Sequence, residues 1–377
     1  MKIESTLSSL IAGAVLLAGT VLSGSALAQS NDSAACLQFA VPAAPHPSPL
    51  PPGGAPKLFM ATTIAPSSTS SSLVIHPDNA DHIRCTAGKT KIIRDIVYST
   101  VALPDGKSLE LRMDIISPTA AAPHPVVVYI PGGGFVFAAK EGAVDLRTYA
   151  AEHGVAVASI TYRTVLNGAT YVDSIVDAKA AVRFLRAHGA DYGLKVDKIG
   201  AWGESAGGYL ANMVGVTGGE ARFEAGENLE QSSSVQAVVD KFGTSDMTKT
   251  GADFGPEGNV LEAAGSPFAH FVNGPTSTQS LLEDPSAATT ANPITYVDAK
   301  DPPFLLFHGS RDPIISPSQT LILHTALRAA GVSSTRYVVD GASHGDLAFM
   351  GDLESGKPWA TRQVMDILVK FLKDNLD

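Results

Sequence analysis

Two patterns of hydrophobic positions follow each other along the chain. Apolar and polar residues alternate from Ile92 to Tyr98 and from Leu109 to Ile116, with the turn tripeptide Pro104-Asp105-Gly106 between them. This arrangement predicts an antiparallel hairpin. The next runs, 126–130 and 155–160, are continuously apolar, which is typical of strands buried on both faces of a parallel sheet.

Helical periods alternate with the strands that follow. Tyr171 to Ala187 carries one apolar stripe with polar residues on its other faces, and Gly189 ends it. Further strands are predicted at 199–202, 235–242, 304–307 and 335–339, and further helices at 206–216, from 316 to about 330 and from about 359 to 372. Ser316 is the predicted N-cap of the second of these helices, in a capping box with Gln319. The alternation predicts an α/β fold with a mostly parallel central sheet flanked by helices.

Two stretches lack these periods. Residues 244–301 are rich in Gly, Pro, Ser and Thr, which predicts a lid-like insertion over a functional site or, alternatively, a plain surface insertion. Residues 29–90 are rich in Pro and Ser and predict an extended N-terminal arm. The globular domain is therefore expected to cover residues 91–377.

The first 28 residues have the features of an export signal. Lys2 precedes an apolar run from Leu10 to Leu22, and the small residues Ala26 and Ala28 fit cleavage before Gln29. The mature protein is therefore expected in the periplasm or the medium, without a stable membrane span. An uncleaved membrane anchor is the alternative, although the run is short for a bilayer span.

The charge of the chain narrows the range of its partners. The formal net charge is −10, and 17% of the residues are charged. The sequence has no cluster of Lys and Arg suited to phosphates, so nucleic acid is not an expected partner. The acidic stretch Asp78-Asn79-Ala80-Asp81-His82 lacks the glycine and the distal glutamate of a calcium loop, and no metal site is predicted.

The chain has two cysteines, Cys36 and Cys85, both in the predicted arm. In an oxidising compartment an even count favours a single disulfide, with two free thiols as the alternative. Two thiols alone cannot complete a four-ligand zinc site.

A nucleophile is predicted from the pattern Gly-x-Ser-x-Gly, which occurs twice. Gly203-Glu204-Ser205-Ala206-Gly207 follows an apolar strand and opens a helix, as a nucleophile elbow requires. Gly341-Ala342-Ser343-His344-Gly345 has the same spacing, but no helical period follows it. Ser205 is therefore the predicted nucleophile.

The base and the acid are predicted from chain order, which is nucleophile, acid, histidine in this type of fold. A serine hydroxyl needs a base with a pKa near the working pH, which histidine provides. His344 lies in a glycine-flanked loop after a strand, whereas His308 and His324 are expected in structural roles. Asp312, which follows the strand 304–307, is the predicted acid. The competing aspartates, expected in turns or on the surface, are Asp298, Asp301 and Asp340.

An oxyanion hole is predicted in the run Pro131-Gly132-Gly133-Gly134-Phe135, which follows the strand 126–130. Glycine is needed there because the loop must approach the substrate in backbone conformations closed to other residues. The predicted donors are the backbone amides of Gly133, Gly134 and Ala206.

These motifs resemble those of the bacterial feruloyl and acetyl esterase branch of the hormone-sensitive-lipase-like hydrolases. The resemblance rests on the glycine loop, Gly203–Gly208, Gly243–Asp246 and the run from Asp301 to Asp312. It covers about Ile92 to the C-terminus and implies an α/β-hydrolase fold with esterase activity. The family usually has histidine where this chain has Pro131, and this difference bears on the geometry of the loop.

The predicted function is hydrolysis of acetyl, feruloyl or similar esters of a small molecule through an acyl-enzyme, without a cofactor. An apolar pocket beside the site is predicted from four residues, which could equally be ordinary core: Phe135, Phe137, Phe349 and Met350. The alternatives are an amidase or peptidase of the same fold and a non-catalytic binding module.

Overall fold

The computed structural model describes residues 71–86, 88–283, 285–346 and 354–377. The strands within them are β1 Leu73–Ile75, β2 Thr90–Ala102, β3 Ser108–Pro118, β4 His124–Ile130, β5 Ala156–Ile160, β6 Leu194–Glu204, β7 Ala237–Lys241, β8 Phe304–Gly309 and β9 Ser334–Val339. The α-helices are α1 Val144–Glu152, α2 Tyr171–His188, α3 Ala206–Val216, α4 Pro267–Asn273, α5 Pro285–Ala291, α6 Ser318–Ala329 and α7 Arg362–Leu376. Among the described residues, no helix has the length and hydrophobicity to cross a membrane.

The nine strands of the described chain form one sheet in the order β1-β9-β8-β7-β6-β4-β5-β3-β2. From β1 to β5 every neighbouring pair is parallel, and β3 and β2 join antiparallel at one edge. The predicted α/β fold is thereby confirmed, and so is the hairpin, in which Ile92 lies opposite Ile116. The carboxyl ends of the parallel strands meet along one edge, where such folds place their ligands.

The hydrophobic runs are continuous because both faces of the sheet are covered. In β4, Val126, Val128 and Ile130 belong to a core cluster that also includes side chains of α2 and α3. Val127 and Tyr129 belong to a second cluster, together with side chains of α1 and α7. Alternate residues of one strand thus enter opposite layers.

The end of the predicted arm differs from expectation. Leu73–Ile75 is a parallel edge strand in register with β9, with Leu73 opposite Tyr337. Ile75 is buried, whereas Leu73 is exposed. Three residues are too few to show a period in the sequence, and the backbone partners come from a strand more than 250 residues later. The predicted signal peptide, the arm up to residue 70 and Cys36 lie outside the described residues, so the pairing of Cys36 with Cys85 stays a prediction.

The predicted N-cap of α6 is wrong. The helix begins at Ser318, and Ser316 does not cap it. Instead, the carboxylate of Asp253 accepts hydrogen bonds from the Ser318 amide (2.9 Å) and hydroxyl (2.7 Å), and also from the Ser316 hydroxyl. A carboxylate distant in sequence therefore satisfies the first turn of the helix, and a local pattern could not have revealed it.

The predicted insertion carries its own short helices, α4 and α5, with 3₁₀ turns at 252–260 and 293–295. At the start of α4, the Ser266 hydroxyl accepts a hydrogen bond from the Ala269 amide at 3.0 Å. Phe268 and Phe271 are buried in the same cluster as Phe135 of the glycine loop, and the Phe271 ring stacks on Phe135 with centroids 4.0 Å apart. The insertion therefore packs directly against the loop predicted to form the oxyanion hole; its action as a lid stays a prediction.

Candidate active site

Ser205 lies on the sharp turn between β6 and α3. Its φ of 56° is unusual for a residue other than glycine and marks local backbone strain. Two hydrogen bonds hold it there: its amide donates to Lys241 O at 2.9 Å, and its carbonyl accepts from the Tyr209 amide at 3.0 Å. The strand before it and the helix after it therefore impose this conformation.

The glycines that flank Ser205 are required by close approach of backbone segments. A Cβ on Gly207 would lie 1.9 Å from Ile130 O, and one on Gly203 would lie 2.0 Å from Gly207 O. Neither distance is compatible with a side chain, since the contacted atoms are backbone. The two glycines thus let α3 begin directly against β4 and β6.

The structure brings the three residues of the predicted triad together. The Nε2 of His344 is 2.8 Å from Ser205 Oγ, and its Nδ1 is 2.7 Å from Asp312 Oδ2. Asp312 is fully buried, and His344 is 8% exposed. Asp312 and His344 follow Ser205 by 107 and 139 residues in the sequence. In the structure the three side chains nevertheless form one hydrogen-bonded chain at the carboxyl edge of the sheet.

Asp312 is held ionised by its surroundings. Its Oδ1 accepts hydrogen bonds from the amides of Ile314 and Ile315, each at 2.9 Å. Burial would raise the pKa of Asp312, but the charge of His344 and the close approach of the His344 and His308 rings outweigh it and hold the pKa well below its usual range. This carboxylate can therefore orient His344 and stabilise its protonated form.

The competing aspartates have other partners. Asp298 and Asp301 bond within one turn, where Asp301 Oδ2 accepts from the Asp298 amide at 3.0 Å. Asp340 accepts from the Ser310 hydroxyl at 3.1 Å and lies 3.0 Å from His76 Nδ1. None of these described contacts reaches His344.

Of the competing serine and histidines, one residue, His308, contacts the predicted triad. Ser343 is not at a strand-to-helix turn, and His324 bonds to Ser334 Oγ at 2.8 Å. His308, however, lies with its Nε2 3.2 Å from Asp312 Oδ2. Sequence reasoning gave His308 a purely structural role and missed this contact. The spacing of four residues between a histidine at the end of a strand and the predicted acid is the signal that could have found it.

The glycine loop lies against Ser205, the predicted nucleophile. A Cβ on Gly132 would be 3.1 Å from Ser205 Cβ. Gly133 has φ 152° and Gly134 φ 60°, the latter in the left-handed region that glycine adopts without strain. Ala206, the third predicted donor, is the first residue of α3. All three predicted donors therefore belong to segments that adjoin Ser205.

Tyr162 is a feature of this loop that sequence reasoning missed. Its buried hydroxyl donates a hydrogen bond to Pro131 O at 2.8 Å. Burial raises the pKa of Tyr162 well above its usual range, so the phenol keeps its proton and remains a donor. The carbonyl of Pro131, at the start of the glycine loop, is thus fixed by a tyrosine from the segment that follows β5.

The residues predicted for an apolar pocket differ in their exposure to solvent. Phe135 is buried in the core, whereas Phe137 is 37% exposed beside the glycine loop. Phe349 and Met350 lie outside the described residues. Across the described parts of the chain, no group of three or more His, Cys, Asp or Glu side chains is arranged to hold a metal ion.

Comparison with known proteins finds similarity to a family model and to several esterases. The model of the BD-FAE family matches residues 113–327, more than half of the chain. Esterase LipQ of Mycobacterium tuberculosis is 30% identical over 214 residues, which cover 56% of this chain and 48% of LipQ. Esterase LipC of the same organism is 31% identical over 226 residues, which cover 59% of this chain and 53% of LipC. The chain thus spans about half the length of these curated relatives.

Solved structures give the same architecture. A truncated carbohydrate esterase from gut microbiota has a TM-score of 0.61 and 24% identity, with 80% of this chain and 99% of that chain covered. A bifunctional GH43-CE protein of Bacteroides eggerthii has a TM-score of 0.63 and 29% identity, with 76% of this chain and 38% of that chain covered. At 24% identity the first likeness shows the fold alone.

Proposed function

The chain belongs to the BD-FAE family, and from this premise we propose that it is a serine-type carboxylic ester hydrolase that works through an acyl-enzyme on Ser205. The observation that carries the proposal is the continuous hydrogen-bonded chain from Asp312 through His344 to Ser205 Oγ. The esterases among the matched relatives support the same reaction class.

In the proposed reaction, His344 takes the hydroxyl proton as Ser205 Oγ attacks the ester carbonyl. Asp312 holds the imidazole with Nδ1–H toward its carboxylate, so that Nε2 is free to accept. Collapse of the tetrahedral intermediate returns the proton to the leaving alcohol and leaves an acyl group on Ser205. Water, activated by the same histidine, then releases the carboxylic acid.

The oxyanion of the tetrahedral intermediate is proposed to bind the amides of Gly133, Gly134 and Ala206. Ala206 opens α3, so its amide lies at the positive end of the helix dipole. Preorganised donors of this kind lower the barrier because they need no rearrangement as charge develops. The buried bond from Tyr162 to Pro131 supports such preorganisation.

The acyl groups proposed for the substrate are acetyl, feruloyl or similar. One matched structure is described as a carbohydrate esterase, and another as a bifunctional GH43-CE protein. We propose that this chain hydrolyses esters of small acyl groups such as acetyl or feruloyl. A panel of acetyl, feruloyl and longer acyl esters assayed on the purified protein tests it, and a preference for long acyl chains would reject it.

Ester hydrolysis itself is tested by comparing p-nitrophenyl acetate with the matching anilide. We expect turnover of the ester and little turnover of the anilide. Faster cleavage of the anilide would favour an amidase, and no turnover of either substrate would favour a binding module.

Export is proposed from the sequence alone. The small residues Ala26 and Ala28 before Gln29 support cleavage there and release into the periplasm or medium. N-terminal sequencing of the mature protein should begin at Gln29. Retention of residues 1–28 would instead support a membrane anchor.

A further inference from the structure

A second histidine contacts the acid of the triad. His308, at the end of β8, is fully buried, and its Nε2 lies 3.2 Å from Asp312 Oδ2 and 3.1 Å from Ile315 O. His344 Nδ1 lies 2.7 Å from the same Oδ2. One carboxylate oxygen therefore has two imidazoles as neighbours.

The other side of His308 is bonded to a chain of donors. Its Nδ1 lies 3.1 Å from Thr320 Oγ1, which accepts a hydrogen bond from Arg336 Nε at 2.9 Å. A guanidinium group can only donate, so the Thr320 hydroxyl is left with its own proton to give. Pro317 O, the competing acceptor for that proton, is 3.5 Å away and already accepts from Arg336 Nη2 at 2.8 Å.

The direction of these bonds fixes the tautomer of His308. If the Thr320 hydroxyl donates to Nδ1, the ring carries its proton on Nε2, where both neighbours, Ile315 O and Asp312 Oδ2, are acceptors. The opposite tautomer would leave Nε2 without a proton against two acceptors, which is costly in a buried site. Both ends of the network therefore select the same form.

We propose that His308 is a positioning residue that donates from Nε2 to Asp312 and so shares the carboxylate with His344, with Thr320 and Arg336 fixing its tautomer. This role rests on the proposed hydrolase function, because its consequence is expressed through His344. It gives the acid three kinds of donor: the two amides on Oδ1, His344 and His308.

The charges around His308 favour its neutral form. Burial lowers the pKa of His308, and Arg336 lowers it further, against the opposing effect of Asp312. Burial also lowers the pKa of Arg336 to about 10, with Asp253 acting in the opposite direction. The ionisable groups that face this network are thus Asp312, His344, Arg336 and Asp253, and Arg336 is the fixed positive charge behind it.

Loss of the donor from His308 should change the basicity of His344. Asp312 would then concentrate its charge on a single imidazole and stabilise the protonated form of His344 more strongly. The acidic limb of kcat/KM should therefore move to higher pH, by roughly half a unit, because more enzyme would hold a protonated base. The maximal rate should fall about tenfold, since the carboxylate is also less firmly oriented.

The variants separate this role from simple packing. His308→Leu removes the donor and should show both changes. His308→Gln can place an amide nitrogen near the position of Nε2, and it should restore the wild-type acidic limb. Thr320→Val removes the donor to Nδ1 and should move the limb in the same direction by a smaller amount. His324→Gln, at a buried histidine that bonds Ser334 Oγ, is the matched control and should leave the limb in place.

The experiment measures pH profiles of ester hydrolysis for the full chain and its variants, together with ¹⁵N NMR of the histidine rings in the wild type. Over the active pH range His308 should be neutral with its proton on Nε2. An Nδ1–H or doubly protonated His308, or an unmoved acidic limb in folded His308→Leu, would overturn the proposal. If His308→Leu does not fold, an unmoved limb in Thr320→Val overturns it instead.

The two hypotheses fail in different ways. Absence of ester hydrolysis by the wild type would reject the proposed function, while the NMR result would still decide the tautomer of His308. Wild-type hydrolysis with an unchanged profile in the variants would reject the role of His308 and leave the proposed function intact.

Discussion

Two segments of this chain have the same five-residue pattern but different surroundings. In Gly203–Gly207 the serine lies between β6 and α3 with a φ of 56°, and His344 Nε2 lies 2.8 Å from its hydroxyl. In Gly341–Gly345 the serine follows β9, the described residues 341–346 are not helical, and the serine carbonyl accepts a hydrogen bond from Trp359 Nε1 at 3.1 Å. The second segment supplies the histidine that contacts Ser205, and its own serine lacks the strand-to-helix turn predicted for a nucleophile.

The difference shows that the pattern acquires chemical meaning only from the elements around it. Gly203 and Gly207 are needed because backbone atoms lie within 2.0 Å of where their Cβ atoms would be, whereas a Cβ on Gly341 would meet open space. Spacing of glycines alone therefore does not specify a strained turn. The following predictions test how far the two segments differ.

The largest effect is expected from the two serines. Ser205→Ala should lower kcat by about 10⁴-fold or more with the fold intact, as in triad knockouts elsewhere. Ser343→Ala should stay within about tenfold of wild type, because it neighbours the base without replacing it. Steady-state kinetics with circular dichroism checks this, and normal turnover by Ser205→Ala would remove it as the nucleophile.

Substitution of the predicted acid and of its competitors should change kcat by almost as different amounts. Asp312→Asn should lower kcat by up to about 10⁴-fold, since an amide can hold the imidazole in the wrong tautomer. Asp340→Asn, which directly precedes the second segment and contacts His76 and Ser310, is the matched control and should cost far less. Asp298→Asn and Asp301→Asn should behave like the control. If Asp312→Asn kept a near-normal kcat under saturating substrate while another of these variants lost it, the aspartate changed in that variant would be the acid.

Substitution of a flanking glycine should cost more stability in the first segment than in the second. Gly207→Ala places a Cβ 1.9 Å from Ile130 O and should destabilise the fold by ~3 kcal/mol or more. Gly341→Ala meets no neighbour and loses only the ease of its positive φ, at a cost of about 1 kcal/mol. Urea unfolding of both variants measures the difference. Equal destabilisation would show that the first segment is not tightly packed.

The buried carboxyl of Asp240, next to the first segment, should make the stability of the protein depend on pH. Asp240 is buried against Gly208 and Gly243, and burial raises its pKa to about 7. Between pH 4 and 7 the folded state therefore keeps a proton that the unfolded chain has lost, so the contribution of this group to stability falls as pH rises. Asp240→Asn cannot ionise. Its stability relative to wild type should increase by roughly 2–3 kcal/mol from pH 5 to pH 8.

The hydrogen bonds of Asp240 allow this substitution. Its Oδ1 accepts from the Gly243 amide and its Oδ2 from Asn212 Nδ2, each at 2.8 Å. Among the described residues, Asn212 Oδ1 is buried without a hydrogen-bond partner. An asparagine at 240 can donate to it once the Asn212 amide turns over. Urea unfolding at the two pH values is the measurement, and a constant difference between them would show that Asp240 is ionised throughout.

Much of the fold could be predicted because its signals are local. The helix 206–216 was predicted with the bounds that the structure has, and the predicted helix from Tyr171 to Ala187 ends one residue later at His188. The parallel strands were recognisable since unbroken apolar runs need cover on both faces. Chain order and strand ends were enough to select Ser205, Asp312 and His344, which the structure then brings into contact.

Most of the rest depends on partners far apart in the sequence. The helix from Tyr171 was predicted to carry polar residues outside its apolar stripe, but two of these, Lys179 and Arg183, are buried, and both pair with Glu224. Their charges are tolerated there because a carboxylate compensates them, and nothing in a helical period identifies that carboxylate. The contact of His308 with Asp312 was missed for a different reason: the two residues are only four positions apart, but the turn between β8 and α6 that brings them together is not predicted by a strand or helix period.

The central claim, that Ser205 alone of the two patterned serines is the nucleophile, is tested most directly by covalent labelling. The full chain would be treated with a fluorophosphonate and digested, and the modified peptide would be identified by mass spectrometry. The account predicts one adduct on Ser205 and none on Ser343, with no labelling of Ser205→Ala. An adduct on Ser343, or labelling that persists in Ser205→Ala at the wild-type rate, would contradict it.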